Sequence, residues 1–412
     1  MGKKIIALLK GQRQTLDKEH IAQLQALRGA IWIHSASVGE FEQARPIIEQ
    51  LKIKNSKLKI VLTFFSPSGY ELRKNYELVD GVFYLPFPNR HNANKFLDAL
   101  QPSKALFVKY EFWPPYLRVL KKRNIPTYSI SAIFRPTQRF FHWYGKSSLN
   151  LLKCFTHLYV QDEASRALLA EHGIANCTVT GDTRFDRVVK IADAVRSETA
   201  NAVGSPLAVR LTPIAQFVEG AERVLVAGST WPKDEVLLQQ YVERVNELTN
   251  ERVKLILVPH EINEEHLHFI FNLFEGKIIK YSVISNQPSN ESRVNILQHA
   301  QVMVLDTIGL LSSIYRFGQV AYIGGGFGVG IHNTIEAAVY GVPVLFGPNY
   351  HHFREAQGLI DAGAARSISN YAELEEALET AFAQHETIGA KAAQYVESEL
   401  GATEKIYKEI FG

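Results

Sequence analysis

The feature that most constrains this chain is an alternation of short apolar runs with helical stretches, played through twice. IWIHSA at 31–36 leads into a turn and EFEQARPIIEQLK, a strand at 60–65 leads through Ser-Pro-Ser-Gly into a second helix, and GVFYLPF, KALFVKY and TYSISAI continue the scheme. Apolar strands joined by crossovers of helical length predict a parallel sheet covered on both faces. After residue 220 a second series begins with RVLVAG and runs through KLILVPH, KIIKYSV, VMVLDT, VAYIGG and VPVLFG. Between 197 and 220 periodicity is lost, and that stretch reads as a connection. A chain of 412 residues is too long for one ordinary core. The expected fold is therefore α/β, with two Rossmann-like domains whose parallel sheets face each other across a cleft. Their expected bounds are 1–205 and 206–385, with 386–412 a terminal helix packing back on the first domain.

The glycine-rich stretch AYIGGGFGVGIHNTIEAAVYGVPVLFGP, residues 321–348, is the most concentrated sign of a ligand. It reads as a strand, a loop and a helix opening near Asn333 with Glu336 in its first turn. Glycine lets a backbone turn with positive φ and approach a ligand closely. No register of this loop fits the G-x-G-x-x-G dinucleotide fingerprint, which disfavours a nicotinamide enzyme. A bare strand-to-helix turn is the competing explanation, but five glycines exceed what a turn needs.

Other motifs of the second series also stand just after strands. Ser229 and Thr230 follow the first, Pro259 and His260 the second, and Asp306 to Gly309 the fourth. Strand ends of one parallel sheet share an edge, so these groups and the glycine loop are expected to converge on one ligand. Small hydroxyl and glycine residues suit phosphate and a carboxylate suits ribose, so a nucleotide is expected. Taken singly, Asp306 equally reads as a helix cap, His260 as a surface histidine and Glu336 as a first-turn acid.

Two carboxylates stand out in the first series: Glu40, directly after Ser37-Val38-Gly39, and Glu111 in KYEFWPPYL. Either could take a proton at a cleft wall. A helix start tends to depress a carboxylate's pKa, so the base strength of Glu40 is expected to depend on desolvation by a bound acceptor. Structurally, Glu40 is also an ordinary first-turn acid, and Glu111 a partner for Lys109 or Arg118. Arg184 could offset charge on a leaving phosphate, or pair with Asp182 or Asp186.

The stretch FRPTQRFFHWYGKSSLNLLK, 134–153, interleaves Arg135, Arg139 and Lys146 with aromatics including Trp143. Such a mixture suits an anionic lipid surface, though it also fits a core helix with solvated charges. No run of about 20 apolar residues is present, so membrane contact is expected to be peripheral. A net charge of +3 argues against nucleic acid. No acidic pair is spaced for a metal, and adjacent His351 and His352 point apart, so neither metal nor cofactor is expected. Cys154 and Cys177 read as buried thiols of a reducing compartment.

Taken in order, HSASVGE, KYEFWP, TGDTRFD, GSTW, DTIG and GGGFGVGIHNTIEAAVYGVPVLFGP resemble the 3-deoxy-D-manno-octulosonic acid (Kdo) transferases, over residues 30 to 365. The resemblance implies a GT-B fold and transfer of Kdo from CMP-Kdo to the lipid A precursor, lipid IVA. It places that reaction at the cytoplasmic face of the inner membrane, with inversion and without metal. It implies Glu40 as general base, with Glu111 and Arg184 assisting the transition state. CMP would be held by Pro259, His260, Ile308, Gly309, Leu310, Asn333, Thr334, Ile335 and Glu336, with Ser229, Thr230 and Gly326 nearby. The family more often has Lys at 184, Arg at 260, Glu at 310, Pro at 334 and Gly-Gly-His at 330–332. The family's apolar N-terminal anchor does not stand in MGKKIIALLKGQRQ: either the sequence has been trimmed there, or binding to the anionic membrane relies on the basic and aromatic surface alone. Two other classes fit the same architecture: an epimerase acting on a soluble sugar nucleotide, and a non-catalytic nucleotide-binding module.

Overall fold

The computed structural model describes residues 2–201, 205–248, 252–287, 291–328 and 330–412. The chain forms two compact units, Met1–Arg187 with Glu399–Gly412, and Val188–Ser398. The division falls after Arg187, within the helix Thr183–Asn201. The stretch expected to be a plain connection is helical over Pro206–Val218: Ser205 caps it by accepting from Ala208 N–H, and Pro206 opens it.

The first unit holds β1 (Ile31–Ser35), β2 (Ile60–Phe64), β3 (Gly81–Tyr84), β4 (Lys104–Val108), β5 (Thr127–Ala132), β6 (His157–Val160) and β7 (Cys177–Val179). They pair in the order β3-β2-β1-β4-β5-β6-β7, and every pair is parallel. All five residues of β1 are buried, as a strand covered on both faces requires. Ile31 and Ile33 pack with Phe41, Ile47 and Leu51 of the helix Val38–Lys54 on one face. Trp32 faces the other way, its ring 5.0 Å from Phe96 and 5.7 Å from Tyr116. The helix Ala402–Phe411 buries Ile406 and Ile410 against the first of these faces. Asp186 anchors its start by accepting from Gly401 and Thr403 N–H, each at 2.7 Å.

The second unit holds β8 (Arg223–Thr230), β9 (Val253–Pro259), β10 (Ile278–Lys280), β11 (Val302–Val304), β12 (Val320–Ile323), β13 (Val344–Phe346) and β14 (Ala365–Ser367). Their order is β10-β11-β9-β8-β12-β13-β14, again parallel throughout. KIIKYSV is a strand only to Lys280, after which Tyr281–Ser285 is helical. The helix expected after the glycine loop is a single turn, Ile335–Ala338.

Both sheets have a point where the strand order reverses, between β1 and β4 and between β8 and β12. Crevices outside the carboxyl ends of strands at such points are where open α/β sheets bind ligands.

Candidate functional site

Glu40 and Glu111 stand at the reversal point of the first unit. Glu40 sits three residues after Ser37, whose hydroxyl caps the helix Val38–Lys54 by accepting from Glu40 N–H at 3.4 Å. The carboxylate turns back and accepts from Ala36 N–H at 2.6 Å, closing a capping box one residue early. Beyond β4 the chain turns at Lys109, which holds a left-handed φ of 59°. Such conformations are costly for a side-chain-bearing residue and gather at functional sites.

Glu111 is buried. Its Oε2 accepts the Trp113 indole N–H at 2.5 Å and lies 3.2 Å from His34 Nε2. His34 is wholly buried, with Nδ1 2.8 Å from the Thr63 hydroxyl, which itself accepts the Trp32 indole N–H at 2.9 Å. Both ring tautomers find partners: Nε2–H can donate to Glu111 while Nδ1 accepts from the Thr63 hydroxyl, or Nδ1–H can donate to the Thr63 carbonyl at 3.1 Å while Nε2 accepts from the Trp113 indole N–H at 3.1 Å. His34 lies inside HSASVGE, yet nothing in the one-dimensional text marks it as the support of a carboxylate 77 positions away.

Burial, and then the nearby Glu111 charge, push the Glu40 carboxyl up from its ordinary 4.5 to about 7, against the opposing Ala36 N–H and Lys109. The expectation of a carboxylate depressed by its helix is thereby corrected. The backbone donors at the helix start and Lys109 do not offset the loss of solvent and a second carboxylate.

Arg184 grips Asp182 with two nitrogens, at 2.9 and 2.7 Å, and Gln43 donates to the same carboxylate at 3.0 Å. Burial alone would raise the Asp182 pKa, but Arg184 and Gln43 hold it below its ordinary value. Of the partners weighed for Arg184, Asp182 is the one engaged, and Asp186 serves the terminal helix.

In the second unit the four expected groups follow β8, β9, β11 and β12, which are adjacent strands of the sheet. Ser229 holds a left-handed φ of 55°. Gly324 passes so close that a Cβ on it would lie 2.3 Å from the Ser229 carbonyl oxygen. Gly326 likewise lies back to back with Gly347, 2.6 Å from a built Cβ to its Cα. The glycine run thus serves loop packing at these two positions.

Two carboxylates missed in the sequence, Asp234 and Glu235, hold the edge together. Asp234 accepts from Trp231 N–H and Gly325 N–H, both at 2.9 Å, and from the Tyr322 hydroxyl at 2.8 Å, joining the exits of β8 and β12. Burial raises its pKa, and these donors oppose the rise. Glu235 accepts the Thr230 hydroxyl at 2.8 Å and pairs with His266 at 3.0 Å. The Thr230 side chain, expected to meet the donor, is therefore committed to the fold. As adjacent acids after Trp-Pro-Lys, both look like ordinary first-turn residues; only the structure shows them buried.

His260 is exposed but stacks between Trp231 at 4.8 Å and His332 at 4.3 Å. Burial, helped by His260, pulls the His332 pKa down to about 4, so its ring is neutral at pH 7. Asp306 caps Ser282 N–H at 2.9 Å, as its alternative role implied. Ile308 is 84% exposed, while Leu310 and Ile335 are wholly buried and could meet a ligand only through their backbone. Gly309 takes a φ of 88°. Pro259 is buried at the end of β9. Asn333 donates to Glu336 at 2.9 Å. Around this edge, Trp231 Nε1, Thr307 Oγ1, His332 Nε2, Asn333 Oδ1 and Thr334 Oγ1 are buried without a hydrogen-bond partner among the described residues. Buried polar atoms are normally paired, so five on one edge mark a surface built for something polar.

Of the residues expected at a membrane, Arg135 is half-buried and donates to the Tyr110 hydroxyl at 3.0 Å, and Arg139 is exposed. Trp143 is 92% exposed, while Phe140 and Phe141 pack against the core. The Lys146 side chain lies outside the described residues. Among those residues, no helix is long and apolar enough to cross a membrane.

Two Rossmann-like α/β domains, each with its strand reversal lined by the features above, give the chain a fold of the GT-B class. Residues 10–187 match the family described as 3-deoxy-D-manno-octulosonic-acid transferase (kdotransferase). The chain is 26% identical to a 3-deoxy-D-manno-octulosonic acid transferase of Aquifex aeolicus, over 85% of each chain. It is also 26% identical to one of Haemophilus influenzae, over 85% of this chain and 78% of that one. The crystal structure of a UDP-GlcNAc 2-epimerase from Neisseria meningitidis, 14% identical, superposes with a TM-score of 0.62 over 92% of this chain and 98% of that one. At that identity the likeness is one of fold. The family match and the relatives make this chain an enzyme, a glycosyltransferase, similar to the Kdo transferases.

Proposed function

We propose that this enzyme transfers Kdo from CMP-Kdo to the lipid A precursor, lipid IVA, with inversion and without a metal ion, at the cytoplasmic face of the inner membrane. The second unit holds the donor, and the first supplies the base and receives the acceptor. Glu40 takes the proton of an acceptor hydroxyl as that oxygen bonds to the anomeric carbon. The bond from that carbon to the phosphate oxygen breaks in the same step, and CMP leaves with the electron pair. A base with a pKa near the working pH combines an adequate ionised fraction with useful basicity, which is what a value of about 7 offers. That Glu40 carboxylate is the observation that carries the proposal. Glu111, fixed by His34 and Trp113, keeps Glu40 basic through its charge. Arg184 orders the loop through Asp182 and assists the departing phosphate. The unpartnered atoms from Trp231 to Thr334 are the groups a cytidine nucleotide would satisfy, with Glu336 on the ribose.

The test is CMP release from CMP-Kdo in excess EDTA, with and without lipid IVA, followed by NMR of the new linkage. Lipid-dependent release with inverted anomeric configuration is expected. Turnover of the sugar nucleotide without lipid would favour an epimerase, and loss of activity in EDTA would refute metal independence.

A further inference from the structure

The turn that leaves β4 is built on an unfavourable residue. Glu111 N–H donates to the Val108 carbonyl at 3.3 Å to close it, and Lys109 takes its second place with a φ of 59°. Glycine and asparagine adopt that conformation at least cost, whereas a long side chain there is strained. Asparagine would make the turn more stable, so lysine at 109 points to a task for its ammonium group.

That group is held at the sheet edge where Glu40 stands. Lys109 N–H donates to the Ile130 carbonyl of β5 at 2.9 Å, and its Nζ lies 5.2 Å from the centre of the Tyr110 ring. The ring is fixed in turn, its hydroxyl accepting from Arg135 at 3.0 Å. β1, β4 and β5 are neighbours in the sheet, so the segments carrying Glu40, Lys109 and Arg135 leave it side by side. The Lys109 charge is felt at Glu40, where it opposes burial and the Glu111 charge.

Kdo is a 2-ulosonic acid, so its carboxylate is bonded directly to the anomeric carbon that the acceptor oxygen attacks. An acceptor hydroxyl within reach of Glu40 therefore brings the sugar's carboxylate to the same edge, as a third negative charge beside Glu40 and Glu111. Like charges in a partly dry site repel strongly, and a fixed cation among them offsets the repulsion. The phosphate of CMP is bonded to the same carbon, but in an inverting displacement it departs on the side opposite the attacking oxygen. A phosphate on the acceptor has no obligation to lie near the reacting carbon.

We propose that Lys109 binds the carboxylate of the sugar being transferred, and so selects an ulosonic acid over a neutral sugar. The inference rests on the assignment of Glu40 as the base.

Lys109→Asn removes the cation while suiting the left-handed backbone, so its Tm should equal or exceed that of wild type. Its KM for CMP-Kdo should rise about tenfold or more, as loss of a hydrogen bond to a charged group does. The inhibition constant of CMP, which lacks the carboxylate, and the KM for lipid IVA should not change. Lys109→Arg should restore part of the affinity. Lys109→Asn should also move the acid limb of kcat to higher pH, because the cation that holds the Glu40 carboxyl down is gone, and Lys109→Arg should leave the limb in place. Calorimetric titration of the full chain with CMP-Kdo and with CMP reads the same affinity difference without turnover. An unchanged affinity for CMP-Kdo in Lys109→Asn would overturn the assignment. So would CMP inhibition weakened in the same proportion, which would put Lys109 on the nucleotide, or a raised KM for lipid IVA alone, which would put it on the acceptor. Binding of CMP-Kdo that depends on Lys109, in a wild-type enzyme that releases no CMP with lipid IVA, would instead refute the transferase reading and leave the carboxylate contact standing.

Discussion

Replacing Glu40 by Gln should abolish turnover while making the protein more stable at alkaline pH, and the two effects share one cause. The carboxyl titrates near 7 in the folded chain against 4.5 ordinarily. Between those values the unfolded chain has released a proton that the folded chain still holds. Stability therefore falls as pH rises through that window. A displacement of this size corresponds to at most ~3 kcal/mol, and partial solvent access at Glu40 brings the expected figure to about 1–2 kcal/mol. Gln cannot ionise and its amide oxygen can still accept from Ala36, so Glu40→Gln should recover that amount at pH 8. For a unit of this size each kcal/mol is worth about 2–4 °C in Tm. Wild-type kcat should fall about tenfold per pH unit below 7, and the Gln variant should lose roughly 10²–10⁴ in kcat. Stopped assays of CMP release from pH 5 to 9, with thermal melts in the same buffers, measure both. Glu111→Gln provides the control: with that charge gone, the acid limb should move to lower pH. A wild-type profile flat from pH 5.5 to 8, or a Glu40→Gln enzyme no more stable than wild type at pH 8, would refute the reasoning.

Other expectations follow from particular contacts. Thr334→Val removes a buried hydroxyl that has no partner among the described residues; it should leave Tm unchanged or slightly higher while raising the KM for CMP-Kdo, and a lowered Tm with unchanged KM would mean the hydroxyl serves the fold. Asp234→Ala strips the acceptor from Trp231 N–H, Gly325 N–H and the Tyr322 hydroxyl, so denaturant melts should show a loss of about 2–4 kcal/mol together with weaker CMP binding. His34→Leu leaves Thr63 and Glu111 each short of a partner; kcat should fall with little change in either KM, and His34→Asn should restore part of it. Replacing Trp143, Arg135, Arg139 and Lys146 by Ser should weaken sedimentation with anionic vesicles and raise the apparent KM for the lipid acceptor, whereas unchanged sedimentation would assign those residues to solubility or packing.

Both sheets could be read in the sequence because parallel strands buried on both faces leave nearly unbroken apolar runs, as IWIHS and VLVAG do. The site was legible where a motif directly follows a strand, since sheet geometry then brings the strand ends to one edge. It was illegible where function depends on burial or on partners distant in sequence. His34, Asp234 and Glu235 look like unremarkable polar residues until the fold encloses them. The pKa of Glu40 was misjudged because its helix start is visible in the text, while the solvent loss and the Glu111 charge that outweigh it are not. Thr230 was placed on the ligand because hydroxyls after a strand suit phosphate, yet a carboxylate five residues on takes its hydrogen bond. The stretch at 206–218 escaped because it carries no strong periodicity in the text, although Pro206 is a good helix opener.

The most direct measurement is the mass of the lipid after incubation of the purified enzyme with CMP-Kdo and lipid IVA, run beside Glu40→Gln. The lipid should gain whole Kdo residues, with CMP released in equal number, in the wild-type reaction alone. Unchanged lipid mass with the wild-type enzyme, or the same gain with Glu40→Gln, would contradict the account.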